Sequence, residues 1–123
     1  MLTFRIEARS SSPEVLIDKQ KHLIEISGSS TFKNTSWFYS NVLKWAIAFN
    51  QQGAHSTTIN IKLNKINESS SKWIMLIMRK ISAILPEHKI TVNWYYQPNN
   101  VNIQINGERL KLNSYIPVNL IAA

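Results

Sequence analysis

The chain contains no cysteine, three glycines and a single aspartate, and each shortage closes off a class of chemistry. Without cysteine there is no disulfide framework, no thiolate metal site and no thiol redox chemistry, so packing alone must hold the fold. Three glycines are too few to write a dinucleotide fingerprint or a phosphate-cradling loop. Asp18 and six scattered glutamates supply no carboxylate pair on a shared face, which acid-base or glycosidic catalysis would need. His22, His55 and His88 fall on a strand, in a loop and in a turn, with no spacing that joins two imidazoles as metal ligands. No catalytic residue, metal or cofactor is therefore expected, and the sequence predicts a protein that is not an enzyme. No apolar run approaches 18 residues, and the opening "MLTFRIEARSSSPE" carries charges where a signal peptide needs an apolar core. The expectation is a cytoplasmic protein without a membrane anchor.

What is present suits one domain over residues 1–123, because a chain of this length buries about two thirds of its unfolded surface but cannot divide into two cores. A hydrophobic fraction of 44%, with four each of Trp, Tyr and Phe, is far too apolar for a disordered chain. The net charge of +7 raises a competing possibility, a basic nucleic-acid-binding domain. The cations argue against it: Lys19, Lys33, Lys44, Lys62, Lys89 and the rest are scattered, with no run of four. Trp37, Trp45, Trp73 and Trp94 are better explained by core packing or a protein interface than by base stacking.

Along the chain, residues 1–13 end in "RSSSPE" and suggest a loose leader or an edge segment that stops before the domain proper. "EVLID" and "HLIEISG" read as strands joined by a three-residue turn, "KQK". From Thr35, Phe38, Val42, Trp45 or Ala46, and Phe49 recur at helical spacing, with Asn34, Thr35 or Ser36 as cap and Gly53 as the stop. "STTINIKLN" alternates as a strand with Ile59, Ile61 and Leu63 on the buried face. "SKWIMLIMRKISAIL" is a helix ended by Pro86, and "KITVNWYY" a further strand. In "VNIQINGERLKLNSYIPVNLIAA" the parity of Val101, Ile103 and Ile105 suits a strand, yet a short helix after Gly107 fits as well. The order β-β-α-β-α-β plus a C-terminal segment predicts an α/β two-layer sandwich, a four-stranded mixed sheet with helices mainly on one face.

The junction "KINESSSK", Lys65 to Lys72, sets three serines where the second helix begins. Its first amides are unpaired and its dipole positive, so one hydroxyl suffices as a cap. A phosphoryl group placed there would add nearly two negative charges where anions are stabilised, with Lys65 and Lys72 at hand. The candidate switch comprises Asn67, Glu68, Ser69, Ser70, Ser71 and Lys72. Lys65, Trp73 and Met75 flank it as candidate partner contacts.

"LIEISGSS", "FYSNVLKWAIAF", "TTINIKLNKINESSSKWIMLIMRKI" and "ITVNWYY" resemble, in order and spacing, the SiaC family of bacterial regulatory phosphoproteins. The likeness runs from about Glu14 to Ile121, and its most specific elements are Asn67 to Lys72 and the "VNWYY" strand. The resemblance implies a STAS-like fold and a partner-switching role, with a dedicated kinase, a PP2C-type phosphatase and a diguanylate cyclase as protein partners and a link to biofilm formation. One position departs from the pattern. The family's phosphate acceptor is a threonine directly after the asparagine, and this chain has Glu68 there. Either Glu68 imitates the modified state permanently, or Ser69, and after it Ser70, has taken over as acceptor.

Overall fold

The structure, a computed structural model, describes residues 3–51 and 55–123. Its elements are β1 (Thr3–Ile6), β2 (Glu14–Asp18), β3 (Leu23–Ser30), α1 (Thr35–Gln51), β4 (Thr57–Ile66), α2 (Glu68–Ser82), a 3-10 turn (Glu87–Lys89), β5 (Ile90–Tyr96), α3 (Val101–Asn113) and β6 (Val118–Ala122). The strands form one sheet in the order β1-β2-β3-β4-β5-β6. β1, β2 and β3 pair antiparallel, and β3 to β6 are parallel. Because each parallel strand lies beside its predecessor in the same direction, right-handed crossovers carry all three helices to one face of the sheet.

The sheet has six strands where the sequence predicted four. One addition, β1, comes from the segment expected as a loose leader or an edge segment; it is the edge strand, held by pairing from Thr3↔Asp18 to Ile6↔Val15 and by Phe4 packing on Trp45 at 3.7 Å between ring centres. The other, β6, follows α3 in the segment left open between strand and helix. The β2–β3 turn spans four residues, Lys19 to His22, rather than three. The Asp18 carboxylate accepts the N–H groups of Gln20 and Lys21, and His22 adopts φ 53°. Gly53, expected to stop α1, lies outside the described residues.

The core fills the space between sheet and helices. Val15, Ile17, Ile24, Ile26, Ile59, Ile61 and Val92 rise from the strands to meet Phe38, Val42, Ala46 and Phe49 of α1 and Ile74, Ile77, Met78 and Ile81 of α2. On the uncovered face the in-register Asn60, Asn93 and Asn119 hydrogen-bond in a ladder, with Asn119 donating to Asn93 at 3.0 Å and Asn93 to Asn60 at 2.9 Å.

One irregularity places the site. Between Gly28↔Leu63 and Ser29↔Lys65 the β3–β4 register slips, leaving Asn64 as an extra residue on β4. Gly28, at φ 107°, supplies the left-handed backbone on the partner strand. The bulge flips the strand's parity, so Ile66 is buried although it is out of phase with Ile59, Ile61 and Leu63. Asn67 then leaves the strand beside Ser30, and its N–H donates to the Ser30 carbonyl at 2.9 Å.

Candidate functional site

The second helix runs from Glu68 to Ser82, three residues ahead at both ends of the Ser71 to Leu85 expected from the sequence, and its cap is Asn67. The Asn67 side chain accepts from the Ser70 N–H at 2.8 Å and donates through Nδ2 to the Phe32 carbonyl at 2.9 Å. One amide therefore caps α2 and ties it to the segment that leads into α1. The serines occupy the first turn, free for lateral bonds.

Each serine faces a different neighbour. Ser69 is exposed, and its hydroxyl hydrogen-bonds that of Thr35, the buried first residue of α1. Ser70 has 0% exposure and accepts from the Ser30 hydroxyl at 2.7 Å. Since the one hydroxyl proton of Ser30 goes to Ser70, the Tyr39 hydroxyl at 2.6 Å from Ser30 must be the donor of that second bond. Burial pushes the Tyr39 phenol up to about 12, against a smaller opposing effect of the two serine hydroxyls. Ser71 is half-buried and turns to the other flank of α2.

The Thr35–Ser69 contact sets two helix starts against each other, and both present the positive ends of their dipoles there. α1 carries no acid in its first turn, while α2 has Glu68, which is exposed and pairs with Lys72 at 3.2 Å. An added anion at Ser69 would meet amides from two helices.

Of the candidate partner contacts, Lys65 is exposed at the end of β4. Trp73 and Met75 diverge, because two residues on a helix are about 200° apart. Both pack partly against the core, and Met75 also lines a groove of about 560 Å³ between α2 and α3 with Glu68, Ser71, Lys72, Leu76, Arg79 and Arg109. Sequence reasoning missed Ser30, Phe32, Tyr39 and Arg109 as members of this region. Only Thr35 carried a signal, as a possible cap.

The histidines are less isolated than their spacing implied. The four-residue turn brings His22 to His55 at 4.4 Å between ring centres, and His55 also lies 5.0 Å from Phe49. Burial, then the charges of His22 and Lys89, hold the His55 imidazole below its usual range. Among the described residues no group of three His, Cys, Asp or Glu side chains is placed to hold a metal ion, and no helix is long and apolar enough to cross a membrane.

A family model described as SiaC family regulatory phosphoprotein matches residues 6–123. The chain belongs to the SiaC family. Solved structures agree in fold. A chain in the crystal structure of the diguanylate cyclase SiaD in complex with its activator SiaC, from Pseudomonas aeruginosa, superposes with a TM-score of 0.86 at 20% identity, covering 98% of this chain and 99% of that one. Apo-SiaC from the same organism gives 0.83 at 20% identity, over 99% and 100%. No curated protein sequence matches the chain. The α/β arrangement with a mixed sheet is thus that of the SiaC structures, and the family is one of regulatory phosphoproteins.

Proposed function

We propose that this chain, as a single domain over residues 1–123, is a non-enzymatic partner-switching regulator in the cytoplasm. Its switch is the start of α2. The observation that carries the reading is the Ser69 hydroxyl, exposed at the point where two helix N-termini meet. Ser69 is the phosphate acceptor; Ser70, fully buried in the Ser30–Tyr39 network, is not. Glu68 stands where the family places its threonine and supplies one constant charge beside the variable one.

The partner is a diguanylate cyclase, as for the SiaC of the solved complex, and a dedicated kinase and a PP2C-type phosphatase set the state of Ser69. Phosphorylation adds nearly two negative charges at the start of α2, on the flank that meets α1, and displaces the Thr35 hydroxyl, weakening docking by about 1–3 kcal/mol through repulsion and desolvation.

The test is incubation of the full chain with ATP and the kinase encoded with it, mapping by mass spectrometry, and titration against the cyclase. Modification at Ser69 with weaker cyclase binding is expected, and Glu68→Thr should add a second acceptor. Unmodified protein, or modified protein with unchanged affinity, would refute the switch.

A further inference from the structure

Among the described residues six large apolar side chains are left exposed, and five of them are on α2, on α3 or just beyond it: Leu76 on α2, Val101, Ile105 and Leu112 on α3, and Tyr115 two residues after its end. The sixth, Trp37, is on α1. Val101, Ile105 and Leu112 are 62%, 46% and 83% exposed, and their spacing puts them on one line of the helix. That line is opposite Ile103, Asn106, Gly107 and Leu110, which face the sheet. A helix normally turns such a stripe inward. Here α3 has an inner apolar face and an outer line about 16 Å long on which Val101, Ile105 and Leu112 are joined by one charged residue, the exposed Glu108.

The outer stripe borders a cationic recess. Arg79 and Arg109 line the α2–α3 groove beside Met75 and Leu76. Arg79 donates to the Asn113 carbonyl through Nε at 3.2 Å and Nη2 at 3.0 Å, and its guanidinium lies 5.2 Å from the Tyr115 ring centre. Those bonds join α2 to the C-terminal end of α3 beside the exposed Tyr115. Arg109 has no carboxylate within salt-bridge distance among the described residues, and Lys72 is matched only by Glu68. The groove begins at Glu68 and Ser71, in the same first turn of α2 as Ser69 but on its other flank.

We infer that this face docks an amphipathic helix of a protein partner whose apolar stripe is bordered by carboxylates. The inference rests on the proposed role as a partner-binding regulator and adds the partner's chemistry. A helix suits the site because apolar positions at helical spacing flank a groove, and carboxylates suit it because the groove's unmatched charge is positive. A second copy of this chain fits poorly, since a two-fold contact would set this cationic patch against the same patch of the other copy. A bilayer fits poorly as well, because the guanidinium groups line a recess that a side chain enters and a flat headgroup plane does not.

The probe is a synthetic amphipathic helix of about 18 residues, leucines on one stripe and glutamates beside it, titrated into the 15N-labelled full chain. Saturable amide shifts confined to 71–79 and 101–115 are expected. Ile105→Glu and Leu112→Glu, both at exposed positions, should abolish them without lowering Tm. Arg109→Glu should weaken binding about tenfold, and Trp37→Glu should not change it. Shifts elsewhere, equal binding of a lysine-bordered peptide, α3-dependent self-association, or Leu112-dependent binding to phosphatidylglycerol vesicles would each overturn the proposal. The same variants are then tested against the cyclase. If wild-type protein ignores the cyclase, the proposed function fails and the peptide still decides this inference. If Leu112→Glu binds the cyclase normally, this inference fails while the switch stands.

Discussion

Replacing Gly107 by alanine pits two effects of opposite sign against each other. In the middle of α3, alanine gains about 1 kcal/mol over glycine in helix propensity. Against this, a β-carbon there would stand 2.6 Å from Nε1 of Trp94 and 2.9 Å from a methyl of Leu120, and closer still to Cδ1 of the indole. The indole cannot withdraw freely. Trp94 is 1% exposed, and its Nε1–H donates to the Ile103 carbonyl at 2.9 Å. Overpacking of this kind costs about 1–3 kcal/mol. Turning the ring aside instead strands a buried donor, at a further cost of about 1–3 kcal/mol. Less the gain in helix propensity, the two costs together favour glycine by about 1–5 kcal/mol, or a Tm lower by roughly 4–20 °C for a domain of this size. Urea and thermal unfolding of the full chain measure it. Trp94→Phe removes the nitrogen from the contact, so the alanine penalty should shrink in that background. A variant as stable as the parent, or more so, would show that α3 does not rest on Trp94 in the way described.

Other residues give further tests. Asn67→Ala should cost about 1–2 kcal/mol by removing the α2 cap, whereas Asn67→Asp keeps the bond from the Ser70 N–H and loses only the donation to Phe32; equal losses would contradict this division. Ser70→Ala leaves the buried Ser30 hydroxyl without its acceptor and should lower stability by about 1–3 kcal/mol in urea titrations. Tyr39 stays protonated in the fold to about pH 12 but ionises near 10 when unfolded, so the folded state binds more protons between these values and stability falls as pH rises. The two-unit gap corresponds to about 3 kcal/mol, and Tyr39→Phe should remove that alkaline limb. His55 shifts the other way: its folded imidazole resists protonation, so the unfolded chain binds more protons as pH drops below about 6.5 and stability declines there. His55→Gln should flatten that limb, and an unchanged acid profile would remove the assignment.

The β2–β3 hairpin, α1, β4, α2 and β5 were legible because each has an apolar pattern of one period. α3 was not, for a reason its side chains make plain. Its inner face, Ile103 and Leu110, and its outer face, Val101, Ile105 and Leu112, are both apolar, so between 101 and 105 the two faces interleave into the alternation of a strand. Gly107 then looked like a boundary, when its missing β-carbon is what lets the helix sit on Trp94. The property that hid α3 is the one that makes it a docking surface: apolar residues that do not belong to the core blur the period. β1 escaped notice for a different reason. Four residues carry too short a pattern, and only pairing with β2 and the Phe4–Trp45 contact define it.

The switch shows where local sequence stops being informative. "NESSSK" announces a helix start and an anion seat, and both follow from neighbours in the chain. Which serine is presented does not. That depends on Ser30 and Thr35, more than thirty residues away, and they reach α2 only because β4 spends an extra residue at Asn64. Ile66 is the trace of this event in the sequence: an apolar side chain one step out of phase after Ile59, Ile61 and Leu63 is what a strand with a single bulge looks like. Without the bulge, Ile66 would point to the uncovered face, and Asn67 would leave the strand turned away from Phe32. Ser70 would then have no buried hydroxyl to accept from, and Ser69 would have no Thr35 beside it. The division between one serine held inside and one left at the surface is therefore a property of strand register, and the chemistry open to the site is decided before its own helix begins.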